Sequence, residues 1–503
     1  MAKPAAPLVR TTAADAILAV RTSGGIRRVP APLAWDPSRH TQSRFAFGPL
    51  GGSPQVTPDR WFTQQLAAAK RAPAYSGVPA LAGLYPFLAL SPAQTRATLR
   101  NNGNEYGWDA MQQLERATLA LQCWSPAQLF ETVVDFFSNK LNVANYTDSV
   151  WVSRLSYDRD VIRANALGKY RDMLLAAMKH PAMLSFLNND VSTWEAPNEN
   201  LGRELLELHT VGIDAGYTQT DVVNSARILT GRGVDWRVGD YMWSQGAHWI
   251  GAVQVLGFKH ANNSPSKGEA VGDLYLTYLA NHPSTAAKLA RQLCVRYVSD
   301  TPSDALVQAV AQAYLTNDTA IVPMLQTIFT STEFWDSRGA KTRRPAENLV
   351  ATVRALNLPL PGTAMLDDAL GSLEWLSYST GQRPLCWVPP NGYPDVAAAW
   401  RSSGNLLGMW DHQLGLASGW WADQFPAPST AFYYGGTSPA TVGAALDALA
   451  TTLLGATLPD AQKTALTTYL GESATLPLSR SRLSFELTNV AGLLLHSAGH
   501  AYR

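Results

Sequence analysis

Three cysteines in 503 residues, Cys123, Cys294 and Cys386, are too few and too scattered for a disulfide framework or a zinc ribbon, so each is expected to be a plain buried thiol. Net charge is nearly absent too. Lys+Arg 40 against Asp+Glu 39 leaves a formal +1, which removes the electrostatic case for nucleic acid or an acidic membrane as a partner. No stretch reaches the ~20 apolar residues of a spanning helix, and the Ala14 to Val20 run lacks the basic region, apolar core and cleavage site of a secretion signal. A cytoplasmic location follows for the chain as written; an exported one would require a start that is trimmed or misassigned. A Gly-x-Ser-x-Gly elbow, a P-loop and a dinucleotide fingerprint are also missing, which weighs against hydrolases built on that elbow, kinases and Rossmann proteins. With no repeat of fixed period, a solenoid is not indicated either.

What is present is apolar and helical. Hydrophobic residues make up 46% and charged residues 16%, enough for a substantial core, and no linker separates two halves. Ser91-Pro92 with Gln94 combines an N-cap, a proline at the first helical position and a capping-box partner, and Ser125-Pro126 with Gln128 repeats the device. Helices are expected over 59–71, 91–101, 108–121, 158–179, 181–188, 272–281, 283–297, 303–316, 321–330, 345–356 and 400–416, with one from Ser438-Pro439 to Leu454 and two more from Asp460 and Ser481. Residues 28–54 and 358–391 read as loops, with a short helix at 13–20. The Trp- and Gly-rich 236–258 reads as a β-ribbon or ordered loop. The expected architecture is all-α, a large bundle-like single domain over 59–503 preceded by a partly irregular extension over 1–58.

The stretch from Pro197 to Gly233 carries the densest signals. Asn198 is a good N-cap, helix formers run to Val211, Gly212 suits the left-handed C′ position, and Thr218 with Asp221 opens a second helix as a capping box. On the first helix Glu199, Arg203 and Glu207 are successive i,i+4 neighbours, with Asn200 and Glu204 in an adjoining row and Leu201, Leu205 and Leu208 on the apolar side. Such a face is either a solvated stripe of ion pairs or a buried cluster in which Arg203 compensates two carboxylates and a third is left for binding or acid–base work. A second polar row, Glu131, Asp135 and Asn139 at i, i+4 and i+8, lies on an otherwise apolar helix. Carboxylates there need buried partners, and the expectation is that the two polar rows face each other.

The run Asn198-Glu199-Asn200, Arg203 to Thr210, Gly216-Tyr217-Thr218-Gln219 and Asp221-Val222 resembles the signature of the bacterial domain-of-unknown-function 1800 family. Tyr157-Asp158-Arg159, Pro181-Ala182-Met183-Leu184, His282-Pro283, Glu333-Phe334, Pro345-Ala346-Glu347, Pro389-Pro390 with Gly392, Pro394-Asp395 and Trp400 agree with it in order, from about Ser91 to the C-terminus. The resemblance implies a fold but no settled activity, and many members look exported. It implies a histidine where this chain has Lys140, and an Asp and a Lys where it has Trp249 and Val253. A lysine ammonium does not ordinarily ligate a metal, so the divalent metal that the resemblance leaves room for in relatives is not expected here, and no cofactor is.

No Glu-x-x-His pair supports a ferritin-like dimetal site. His496 and His500 stand i,i+4 without an intervening glutamate and read as exposed tail residues, and most of the sixteen tryptophans as packing. Two functions stay open. One is an enzyme, hydrolase or lyase, acting on a polar substrate such as a glycan through Glu204, Glu207, Asp135, Asn139 and His248, with Asn198, Glu199, Asn200, Arg203, Lys140 and Asp221 in binding roles. The other is a non-catalytic scaffold or binding protein, with a glycan or protein partner, in which these residues form a structural network.

Overall fold

The computed structural model describes residues 36–503 except 54–55, 70–73, 104–105 and 148–149, and it is all-α with two small antiparallel hairpins. The helix expected at 13–20 lies outside the described residues. Among the described residues no helix is long and apolar enough to cross a membrane.

Two compact units are present. The first comprises the described part of Met1–Trp61 with Arg338–Ala369 and Trp400–Arg503; the second comprises Phe62–Ser337 and Leu370–Ala399. In the first, Ser403–Ser418 packs along Leu483–His496, and Pro345–Ala355 and Val442–Leu454 complete a core that includes Phe45, Val350, Leu416, Leu446, Leu449 and Leu495. The chain end returns to this unit as an extended segment: Arg343 N donates to Ala501 O at 3.0 Å and Arg503 N to Lys341 O at 2.8 Å.

The second unit holds both polar rows. Its helices begin where caps dictate: the Ser91–Gln94 and Thr218–Asp221 capping boxes both form, Asn198 accepts from Asn200 N at 2.9 Å, and Ser303 accepts from Leu306 N. Strand β1, Arg232–Asp235, pairs with β2, Asp240–Trp243, and β3, Val253–Val255, with β4, Phe258–His260, so the ribbon expectation resolves into two hairpins.

Several expectations are corrected. The loop expected over 28–54 contains the helix Pro37–Phe45, capped by Asp36, and the one over 358–391 contains Thr363–Ser379. Ser125 does not open a capping box, because Gln128 turns back to donate to Gln122 O and Ser125 O and so serves the end of the preceding helix; the next one starts at Gln128 from Ala127. Val442–Leu454 starts from Thr441, three residues beyond Ser438. His500 is buried rather than in an exposed tail, and His496 Nε2 sits 2.9 Å from Trp410 O.

Two segments that look like ordinary helix in sequence are π-helical, Tyr157–Arg163 and Leu205–His209. The wider turn aligns residues five apart, which an α-helix does not. Arg163 Nε thereby donates to Asp158 Oδ2 at 2.7 Å, and Thr210 Oγ1 to Leu205 O at 2.6 Å.

Candidate functional site

The helix Gln128–Lys140 buries Leu129, Val133 and Phe137 completely and turns four polar side chains toward four different segments. Glu131 accepts from Arg163 Nη1 at 3.0 Å; Arg163 also holds Asp158, which accepts from Tyr75 OH at 2.8 Å. The Arg163, Glu131 and Asp158 side chains are 2%, 4% and 1% exposed, so this is a buried charged network. Burial pushes the Glu131 carboxyl up against the pull of Arg163, and pushes the Tyr75 phenol well up, with Asp158 adding to the rise.

Asp135 lies 3.3 Å from Arg296 Nη2, whose other terminal nitrogen is 3.6 Å from Asp395. Asn139 bonds reciprocally with the main chain of Tyr393, accepting from its N at 3.0 Å and donating to its O at 3.2 Å. That contact requires Gly392: its φ is +70°, and a Cβ there would stand 2.2 Å from Asn139 O. The Pro389–Asp395 segment is thus seated on the row that Asp135 and Asn139 form.

Among the described residues Lys140 pairs with no carboxylate. Its Nζ donates to Leu208 O at 2.5 Å, while Lys288 Nζ donates to Glu207 O, so two ammonium groups cap the carbonyl end of the π-helical Leu205–His209 turn. His209 is fully buried with Nδ1 3.3 Å from Lys140 O. Burial first, and the nearby Lys140, hold its imidazole down to about 3, hence neutral. Burial likewise drives the Lys140 amine well below its ordinary range, with Lys288 adding to the fall.

Glu204, Glu207, Tyr217 and Lys288 form a half-buried mouth beside this cap. Burial and then Glu207 raise the Glu204 carboxyl, and burial lowers the Lys288 amine to about 8 despite Glu207, Asp214 and Glu204. Linkage gives the sign. Between pH 8 and about 10.5 the unfolded chain holds a proton at Lys288 that the folded chain has lost, so this group's contribution to stability is fully present above 10.5 and is lost as pH falls through 8. Urea unfolding across that window should therefore show wild type gaining stability with pH relative to Lys288→Met; parallel curves would contradict it.

Of the remaining candidates Arg203 is near enough to act on Glu204 and Tyr217, and the others bond elsewhere. Arg203 is 40% exposed and pairs with Glu199 at 3.0 Å, with Gln219 bridging both, so it is a solvated i,i+4 pair and not a buried compensator. Asn200 is exposed and Asn198 is the cap. Asp221 caps its helix and accepts from Leu256 N at 2.8 Å; burial opposes its ionisation, but the hydrogen bonds from Thr218 and Leu256 hold the carboxyl below its usual range. His248 is buried between Thr230 O, 2.9 Å from Nδ1, and Asn262 Oδ1, 3.0 Å from Nε2, where it ties the hairpin segment to the end of the Gln219–Leu229 helix. The bonds of the two polar rows thus run to other segments, and the two helices are joined instead where Lys140 reaches the Leu208 carbonyl. Among the described residues no group of three or more His, Cys, Asp or Glu side chains is placed to hold a metal ion.

Arg163, Arg296, Lys288 and Tyr75 were not singled out in sequence. Long-range partners leave no periodic trace, and only Asp158 and Asp395 stood in motifs that could have drawn attention to them.

Fold and site together define a class: an all-α protein in whose second unit segments around Asp158, Leu208 and Tyr393 are bonded to the polar side chains of the Gln128–Lys140 helix or to their partners. The profile of the family described as "Protein of unknown function (DUF1800)" matches residues 40–499, and the chain belongs to that family. Among curated proteins and solved structures, nothing matches it.

Proposed function

We propose that this chain is a non-catalytic helical scaffold or binding protein whose motif residues maintain a structural polar network. The supporting observation is the occupation of the Gln128–Lys140 row: Glu131 by Arg163, Asp135 by Arg296, Asn139 by Tyr393 and Lys140 by the Leu208 carbonyl. Polar side chains spent on such bonds are positioned to fix packing rather than to meet a substrate.

A second reading, a hydrolase or lyase on a polar substrate such as a glycan, is favoured by the mouth alone. There a carboxyl raised by burial, Glu204, lies near an amine lowered to about 8, Lys288, two groups whose proton affinities are moved toward each other. One experiment separates the two. Asp135→Asn and Lys140→Met are expected to lower the unfolding midpoint, and a panel of glycans is expected to show no turnover that Glu204→Gln or Glu207→Gln abolishes. Turnover lost in a Glu207→Gln protein of unchanged stability would establish the enzyme and end the scaffold proposal.

A further inference from the structure

The first unit holds a partly open pocket of about 20 Å³ whose wall includes Arg39, Ser43, Arg343, Leu453, Gly499 and His500. Two of these side chains carry positive charge. Arg39, on the Pro37–Phe45 helix, crosses Gly455, where φ is +77° and a Cβ would fall 1.8 Å from Arg39 Cδ, and donates from Nη2 to Leu453 O at 3.1 Å. Arg343 is 6% exposed, held by the extended pairing of 341–343 with the chain end, and donates from Nη1 to His500 O and Tyr502 O.

Among the described residues neither guanidinium has a carboxylate within ion-pair distance. The nearest acid acting on Arg343 is Glu347, and that carboxylate is already shared by Arg344 at 3.1 Å and Arg503 at 3.5 Å. Arg39 feels Asp36, whose side chain is engaged in capping Ser38 N. Carbonyl oxygens satisfy hydrogen bonds but leave net charge in place, and charge withdrawn from water without a counter-charge is costly, fully so for the buried Arg343 and in part for Arg39, which keeps some exposure. The cost registers in both groups: burial, with Arg503 adding to it, brings Arg343 down to about 9, and burial brings Arg39 down to about 10. His500 supplies no counter-charge; burial keeps its imidazole neutral, and Nε2 lies 3.1 Å from Thr352 Oγ1.

We propose that this pocket is a binding site for a small inorganic anion of halide size, held between the Arg39 and Arg343 guanidiniums beside the Ser43 hydroxyl. Size decides the class. A space of about 20 Å³ exceeds the ~10–15 Å³ that one water requires and is too small for a phosphoester, while a water in it would leave both charges uncompensated. The site is independent of the polar network in the second unit and of either reading of that network.

The test uses the full chain in a buffer whose only anion is gluconate, with chloride or bromide exchanged in at constant ionic strength. The expected result is a saturable rise in the melting midpoint with halide, following mass action, that is flattened in Arg39→Gln and in Arg343→Gln. Equal midpoints in halide and gluconate for the wild type would overturn the proposal, as would an Arg39→Gln protein that keeps the full halide response. Should Arg343→Gln not fold, Arg39→Gln and the anomalous signal of bromide in crystals of the wild-type chain decide it: a peak in this pocket supports the site and its absence there refutes it. Stabilisation by phosphate with none by halide would refute the size assignment.

Discussion

Arg163→Met is expected to lower the unfolding free energy by about 3–5 kcal/mol, because it leaves Glu131 and Asp158 buried without their cation. Both carboxylates face the same guanidinium at 3.0 and 2.7 Å, and Tyr75 adds only a neutral donor to one of them. The matched control is Arg203→Met, whose i,i+4 pair with Glu199 is 40% and 38% exposed and is worth no more than about 1 kcal/mol. Urea unfolding of the two variants should separate them by several-fold in free energy. Similar small losses in both would mean that the buried network is not a stabilising element.

The second large effect is expected at Gly392. Gly392→Val imposes a left-handed φ on a β-branched residue, a strain of roughly 1–3 kcal/mol, and drives a Cβ to 2.2 Å from a backbone oxygen that cannot move without bending the Gln128–Lys140 helix. The segment should therefore detach. Amide exchange over residues 387–397 is expected to accelerate by orders of magnitude, with the two Asn139–Tyr393 bonds lost together. Unchanged exchange there would show that the segment is held by something other than this contact.

How far the sequence carries the fold depends on the range of the interaction. The Thr218–Asp221 and Ser91–Gln94 boxes are complete within four residues, and both form as read. Pro283–Tyr297 and Ile321–Thr330 have the ends that their caps and periodicity predict. The Ser125 device fails because Gln128 has a competing use in the preceding turn, a choice that spacing alone does not reveal. The π-turns are silent for a similar reason: Leu205 to His209 has the propensities of an α-helix, and the two lysines that cap its carbonyls come from residues 140 and 288, far off in the chain.

The site divides along the same line. Periodicity correctly marks Glu131, Asp135 and Asn139 as one row on a buried helix, and the cost of burying carboxylates correctly demands partners. It does not name them. The expected partner is the helix carrying Arg203, the other strongly polar one; the actual ones, Arg163 and Arg296, come from two other helices and form no periodic row. Arg203 shows the converse error, since an i,i+4 stripe reads identically whether it faces protein or water.

The first unit is assembled from segments that leave the ribosome far apart in time. Phe45 and the rest of the Pro37–Phe45 helix belong to a core completed by Leu483–His496 and by the Arg343–Ala501 pairing near the chain end. At synthesis rates of ~5–20 residues per second, the helix waits on the order of half a minute or more for its partners, while most of the second unit is made in between. Until those later segments emerge, Phe45 and Phe47, buried in the finished protein, await the rest of their unit. The nascent chain thus carries two aromatic side chains on an otherwise polar stretch ahead of the surfaces that bury them, and C-terminal truncation would remove part of those surfaces.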